Sequence, residues 1–87
     1  MSDARETMKQ CIEVLTSIQS DEVVPRNIRR NAEKVRGILQ GDDGGLAVKV
    51  ASSITILDEM SNDPNLPLHT RTLIWNVASH LEAIPLG

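Results

Sequence analysis

Aromatic side chains are almost missing from this chain: there is one tryptophan, Trp75, and no phenylalanine or tyrosine. A core built without them must be aliphatic, from Leu, Ile, Val, Ala and Met. That composition suits packed helices better than a sheet, whose strands favour aromatic and β-branched residues. Cysteine is nearly absent too. Cys11 is single, so no internal disulfide can form, and a reducing, cytoplasmic compartment is the expectation. Long apolar runs are lacking: Leu46-Ala47-Val48 is followed at once by Lys49, far short of the roughly 20 residues of a membrane span. The opening Met1-Ser2-Asp3-Ala4-Arg5-Glu6 is too acidic and polar for a signal peptide. Excess positive charge is also lacking. The formal net charge is −3 and the pI about 5.2, against the basic balance of a wholesale nucleic-acid binder.

What is present is enough for one domain: 87 residues, 40% of them hydrophobic. The first helix is expected to start near Asp3, where Asp3 and Glu6 have the spacing of a capping box. Its apolar face is Met8, Cys11, Ile12, Leu15 and Ile18, fading by Gln19 or Ser20. Pro25 opens the second helix as its first residue, where a missing N–H costs nothing. Its stripe is Ile28, Ala32, Val35 and Leu39, with Ile38 beside it, and Gly41 stands where a left-handed cap residue is wanted. Gly41-Asp42-Asp43-Gly44-Gly45 reads as a linker. The third helix, from about 46 to 60, is apolar over more than one face, which points to a central position in contact with several neighbours. Its Val and Ile content also allows a buried strand over residues 48–57, although no partner strand is apparent. After the turn Ser61-Asn62-Asp63-Pro64-Asn65, Pro67 repeats the role of Pro25. The fourth helix carries Thr70, Ile74, Val77, Ala78 and Leu81 and should end before Pro85.

Slid along itself by 42 residues, the chain registers with itself. Ile12 falls on Ile54, Leu15 on Leu57, Asp21 on Asp63, Pro25 on Pro67, Arg29 on Arg71, Val35 on Val77 and Leu39 on Leu81. The matching positions are the core stripe, the turn aspartate, the helix-opening proline and an arginine one turn later. In each unit the carboxylate of Asp21 or Asp63 can meet the guanidinium of Arg29 or Arg71 as a structural staple. The period resembles HEAT-type repeats. Such arrays normally need about three units, so two either fold against each other as a closed four-helix bundle or leave an open flank for a partner to cover. The expected architecture is therefore all-α and bundle-like: one domain of four antiparallel helices from two HEAT-like hairpins, about 3–40 and 46–84, joined by the linker 41–45.

The stretch Ile56-Leu57-Asp58-Glu59-Met60-Ser61-Asn62-Asp63-Pro64-Asn65-Leu66-Pro67-Leu68-His69-Thr70-Arg71-Thr72-Leu73-Ile74-Trp75-Asn76, with Val24-Pro25-Arg26-Asn27-Ile28-Arg29-Arg30, is specific enough to carry a resemblance. Over residues 15–82 the chain resembles uncharacterised protein family 0147, a group of small archaeal proteins. The resemblance implies a helical fold and a cytosolic archaeal protein. It implies no activity, ligand or catalytic residue.

No chemistry-bearing motif emerges. One Cys and two His, without Cys-x-x-Cys, do not make a zinc site. His69 and His80 on one helix are separated by about 16 Å along its axis. Cys11 on an apolar stripe reads as a small hydrophobe. The glycines match neither a dinucleotide fingerprint nor a Walker loop, and Asp42 and Asp43 would repel an anion there. No catalytic residue, cofactor or metal is expected. Two surface features remain. Arg26, Arg30 and Lys34 form one stripe of the second helix, a solvated face or a face for an anionic partner. Trp75 lies one residue off its core stripe and aligns with Glu33, an outward position. It is a flank of the core or an interface anchor extended by Leu68 and Leu73. The expectation is a non-enzymatic protein-interaction module that binds a protein partner or itself. A nucleic-acid-associated accessory protein using the second helix is the alternative.

Overall fold

Four helices follow one another in the computed structural model, which describes residues 4–42 and 44–86. They are α1 (Ala4–Ser20), α2 (Arg26–Gln40), α3 (Leu46–Ser61) and α4 (Leu68–Glu82). The capping box at Asp3 lies outside the described residues, as does Asp43 of the linker. The strand reading of residues 48–57 is corrected: this segment is continuous helix within α3.

Local details depart from expectation at both kinds of helix end. Pro25 and Pro67 precede their helices as cap residues rather than occupying the first helical position. Their φ of −55° and −59° is helical, but ψ near 147° and 146° is extended. A cap residue contributes its carbonyl, not its N–H, to the helix ladder. Accordingly the Pro25 carbonyl accepts from the amides of Ile28 and Arg29, and that of Pro67 from Arg71. Gly41 is not left-handed: its backbone is extended, with φ −75° and ψ 166°. Its amide donates to the Ile38 carbonyl, closing the last turn of α2 tightly. Among the described residues the positive φ belongs to Gly44, at 77°.

The 42-residue register is written into burial. The buried residues pair as Cys11 with Ser53, Leu15 with Leu57, Ile18 with Met60, Val24 with Leu66, Ile28 with Thr70, Ala32 with Ile74, Val35 with Val77, and Leu39 with Leu81. Val50 and Ile84 complete the set. Each large aliphatic chain removed from water contributes about 1.5–3 kcal/mol before the cost of ordering it. The turns repeat as well. The amides of Asp21 and Val24 donate to the carbonyls of Ile18 and Asp21, and those of Asp63 and Leu66 to Met60 and Asp63.

The repeats do not stack as HEAT units do. Stacking would lay α1 on α3 and α2 on α4. Instead α1 packs on α2 and α4, and α3 packs on α2 and α4, closing a ring of four helices. The radius of gyration, 12.2 Å, equals the about 12 Å of a closed domain of this length. The relation between hairpins is a pseudo-two-fold exchange, not a step along a solenoid. The same ring corrects the central position expected for α3. Every helix has two helical neighbours, and part of the apolar surface of α3 faces water: Val48 is 59% exposed, and Ala47 and Ala51 are exposed. A closed pair buries one stripe per helix, so the extra apolar breadth of α3 has nothing to cover it.

Candidate interaction surfaces

The repeated frame of the two turns holds polar groups that cross between hairpins. Asp21 sits in the first turn, where the Val23 amide donates to its Oδ1 at 3.0 Å. Its Oδ2 accepts from His69 Nε2 of the other hairpin, also at 3.0 Å. Asp63 does the same in the second turn: the Asn65 amide donates to Oδ1 at 2.8 Å, and Asn27 Nδ2 to Oδ2 at 2.9 Å. Asn27 and His69 are themselves 42 apart, so the two contacts exchange under the pseudo-two-fold. A solenoid translation could not map one onto the other. The hydrogen bond from His69, then that from the Val23 amide, hold the Asp21 carboxyl below its ordinary pKa. Those from Asn27 and the Asn65 amide do so for Asp63.

These contacts replace the staple expected between Asp21 and Arg29 and between Asp63 and Arg71. Arg71 Nη2 does reach back to residue 63, but donates to its backbone carbonyl at 3.2 Å. Arg29 acts on Asp21 only as a nearby charge, the smallest of the influences on that carboxyl. The reason is directional: with one oxygen committed to the turn amide, the other points across the bundle, and the facing helix supplies its donor. The signal was present in the chain, since Asn27 and His69 are both polar and occupy equivalent positions.

Trp75 is exposed, at 56%, and stands beside a groove of about 420 Å3 between α3 and α4. Ile54, Leu57, Ile74 and Ala78 supply the apolar part of this groove, and its charged lining residues are Asp58 and Glu82. Leu68, 74% exposed, lies two turns before Trp75 on the same helical stripe. Leu73 is half-buried against the core and does not line the groove. Of the three apolar residues singled out here, Trp75 and Leu68 therefore share a surface and Leu73 serves mainly as packing.

On α2, Arg26, Arg30 and Lys34 are all exposed. Arg26 and Arg30 line a cleft of about 320 Å3 with Gln19, Arg29 and Glu33; Lys34 lies beyond it, beside Lys49 in a separate shallow hollow between α2 and α3. Cys11 is buried and its thiol pKa is pushed up by that burial. Its Sγ lies 4.0 Å from the Val77 carbonyl. A buried thiol with a raised pKa is a poor nucleophile. Among the described residues no three His, Cys, Asp or Glu side chains come together as metal ligands, and no helix is long and apolar enough to cross a membrane.

What this geometry defines is a closed four-helix bundle of two pseudo-symmetric hairpins, carrying two chemically different outer grooves. Comparison with known proteins places it further. The family model described as uncharacterised protein family UPF0147 matches residues 1–84, and the chain belongs to that family. It is 55% identical to the UPF0147 protein of Methanosarcina mazei, over 98% of this chain and 91% of that one. It is 49% identical to that of Pyrococcus abyssi, over 97% and 99%. Two solved structures share the fold. One is a crystal structure of a UPF0147 protein from Thermoplasma acidophilum, with a TM-score of 0.88 at 32% identity, covering 93% of this chain and 95% of that one. The other is that of the unknown-function protein MMP1188, with a TM-score of 0.90 at 40% identity, covering 95% and 94%.

Proposed function

We propose that this protein is a non-enzymatic, cytoplasmic protein-interaction module that docks a partner on the α3–α4 groove. The supporting observation is Trp75, an indole left 56% exposed beside an apolar groove in a chain that has no other aromatic side chain. Trp is enriched where binding energy concentrates, because it buries much area at low entropic cost. The charged groups of the groove are carboxylates, so the occupant that fits is a protein segment with apolar side chains and a neighbouring Lys or Arg. A cation there gains both the carboxylates and the indole face.

The test compares wild type with Trp75→Ala in capture from nuclease-treated native extract, alongside the solution mass of each. A partner kept through nuclease and lost with Trp75→Ala supports the reading; a self-associated mass lost with Trp75→Ala assigns the surface to a second copy. Identical partners and identical mass for the two proteins refute it.

The exposed stripe of Arg26, Arg30 and Lys34 favours a second reading, a nucleic-acid-associated accessory protein. Phosphate contacts make log K fall steeply with log salt. Binding that is absent at low salt, or unaffected by Arg30→Ala with Lys34→Ala, removes it.

A further inference from the structure

The pseudo-two-fold supplies an internal control for the surface of α2. Each of its outer positions has a counterpart on α4 in the same frame, so whatever the frame requires should appear twice. The cations do not. Arg26 corresponds to Leu68, Arg30 to Thr72, Lys34 to Asn76 and Arg36 to Ala78. A bundle that accepts Leu, Thr, Asn and Ala at these places does not need the positive charges to fold.

Arg29 does have a counterpart, Arg71, and the two are used differently. Arg71 Nη2 donates to the Asp63 carbonyl. Among the described residues Arg29 has no matching bond to Asp21, whereas the Nε of both arginines is buried without a hydrogen-bond partner and so belongs to the shared frame. The α1–α2 cleft gathers Arg26, Arg29 and Arg30 against the carboxylate of Glu33, leaving a surplus of two positive charges. Guanidinium groups present planar forks of donors that match phosphate oxygens. A carboxylate ligand offers one charge and two oxygens. A phosphate monoester carries about −1.5 to −2 at neutral pH and three free oxygens, which matches both the surplus and the number of forks.

We propose that the α1–α2 cleft binds a terminal phosphate group, held by Arg26, Arg29 and Arg30. This site lies on the opposite hairpin from the Trp75 groove and stands or falls separately from it. It shares α2 with the nucleic-acid reading but requires only the phosphate.

The experiment is an amide NMR titration of the full chain at low salt with pyrophosphate, then with one short RNA bearing either a 5′-phosphate or a 5′-hydroxyl. Saturable shifts centred on Gln19 and residues 26–33 are expected, with the 5′-phosphate RNA preferred. Arg30→Thr, which installs the residue that α4 carries at the equivalent place, should weaken pyrophosphate binding by about tenfold or more. Arg26→Gln should act in the same direction. Arg29 is left intact because the frame uses it in both hairpins. No saturable shift with pyrophosphate overturns the proposal, as does binding that Arg30→Thr leaves unchanged. Equal affinity for the two RNAs overturns the assignment to a terminal phosphate and returns the cations to the nucleic-acid reading.

Discussion

Replacing Ser53 with alanine is expected to stabilise the protein. Ser53 is fully buried on α3, and among the described residues its Oγ has no hydrogen-bond partner. Its neighbour Thr55 satisfies its own hydroxyl by donating to the Ala51 carbonyl at 3.0 Å; Ser53 makes no such bond. A buried hydroxyl left without a partner costs about 1–3 kcal/mol. Alanine is also the better helix former, by up to about 0.7 kcal/mol. Against this stands the small void left by one oxygen, which takes back part of the gain. The net expectation is a stabilisation of about 1 kcal/mol, or a rise of about 4–8 °C in Tm for a domain of this size. Urea unfolding followed by circular dichroism measures it; Trp75 fluorescence is a poor probe because the indole is already exposed. The urea slope should not change, since the surface exposed on unfolding is the same. A midpoint that stays put or falls would refute the reasoning, by showing that the Ser53 hydroxyl has a partner the geometry does not give it. Cys11, the counterpart of Ser53, shows what the frame accepts there: a small side chain whose sulfur needs no strong bond.

Leu15→Ala and Leu57→Ala remove equivalent, fully buried side chains, so each should cost about 2–5 kcal/mol in a denaturant melt, and the two losses should be similar. The carboxyls of Asp21 and Asp63 have folded pKa values below their unfolded value of about 3.9. A group depressed in this way stabilises the fold above its unfolded pKa and loses that contribution as pH falls through its folded pKa. The urea midpoint should therefore drop on acidification below about pH 4, and Asp63→Asn should reduce that drop. Gly44→Ala places a Cβ at φ 77° and 3.3 Å from Val48 Cγ1, and should cost about 1–2 kcal/mol in the same melt.

The surfaces were only partly legible in the chain. Trp75 stood out because its counterpart is Glu33, a polar outward residue, and the indole is indeed exposed. The stripe of Arg26, Arg30 and Lys34 could be drawn from helical spacing alone, and all three are exposed. The grooves beside them could not, because a groove needs two helices and periodicity describes one at a time. Asp21 and Asp63 are recognisable as turn residues, and the chain points to partners within each hairpin, at Arg29 and Arg71. Proximity in sequence favours those arginines, but the carboxylates take His69 and Asn27 from across the bundle.

The sequence by itself determined the four helices, their apolar stripes and the 42-residue register, because these depend on interactions within a few turns: periodic burial, cap residues and turn aspartates. Eight pairs of buried residues repeat that register from Cys11 and Ser53 to Leu39 and Leu81. Tertiary structure alone decided how the second hairpin meets the first. Stacking by translation and closure by a two-fold use the same stripes with the same spacing, so no local pattern separates them. Closure lets each hairpin cover the apolar face of the other within one chain, whereas two stacked units would leave faces open to water. That choice also turned the polar turn groups into crossed pairs, and it left the basic cleft on one hairpin and the Trp75 groove on the other.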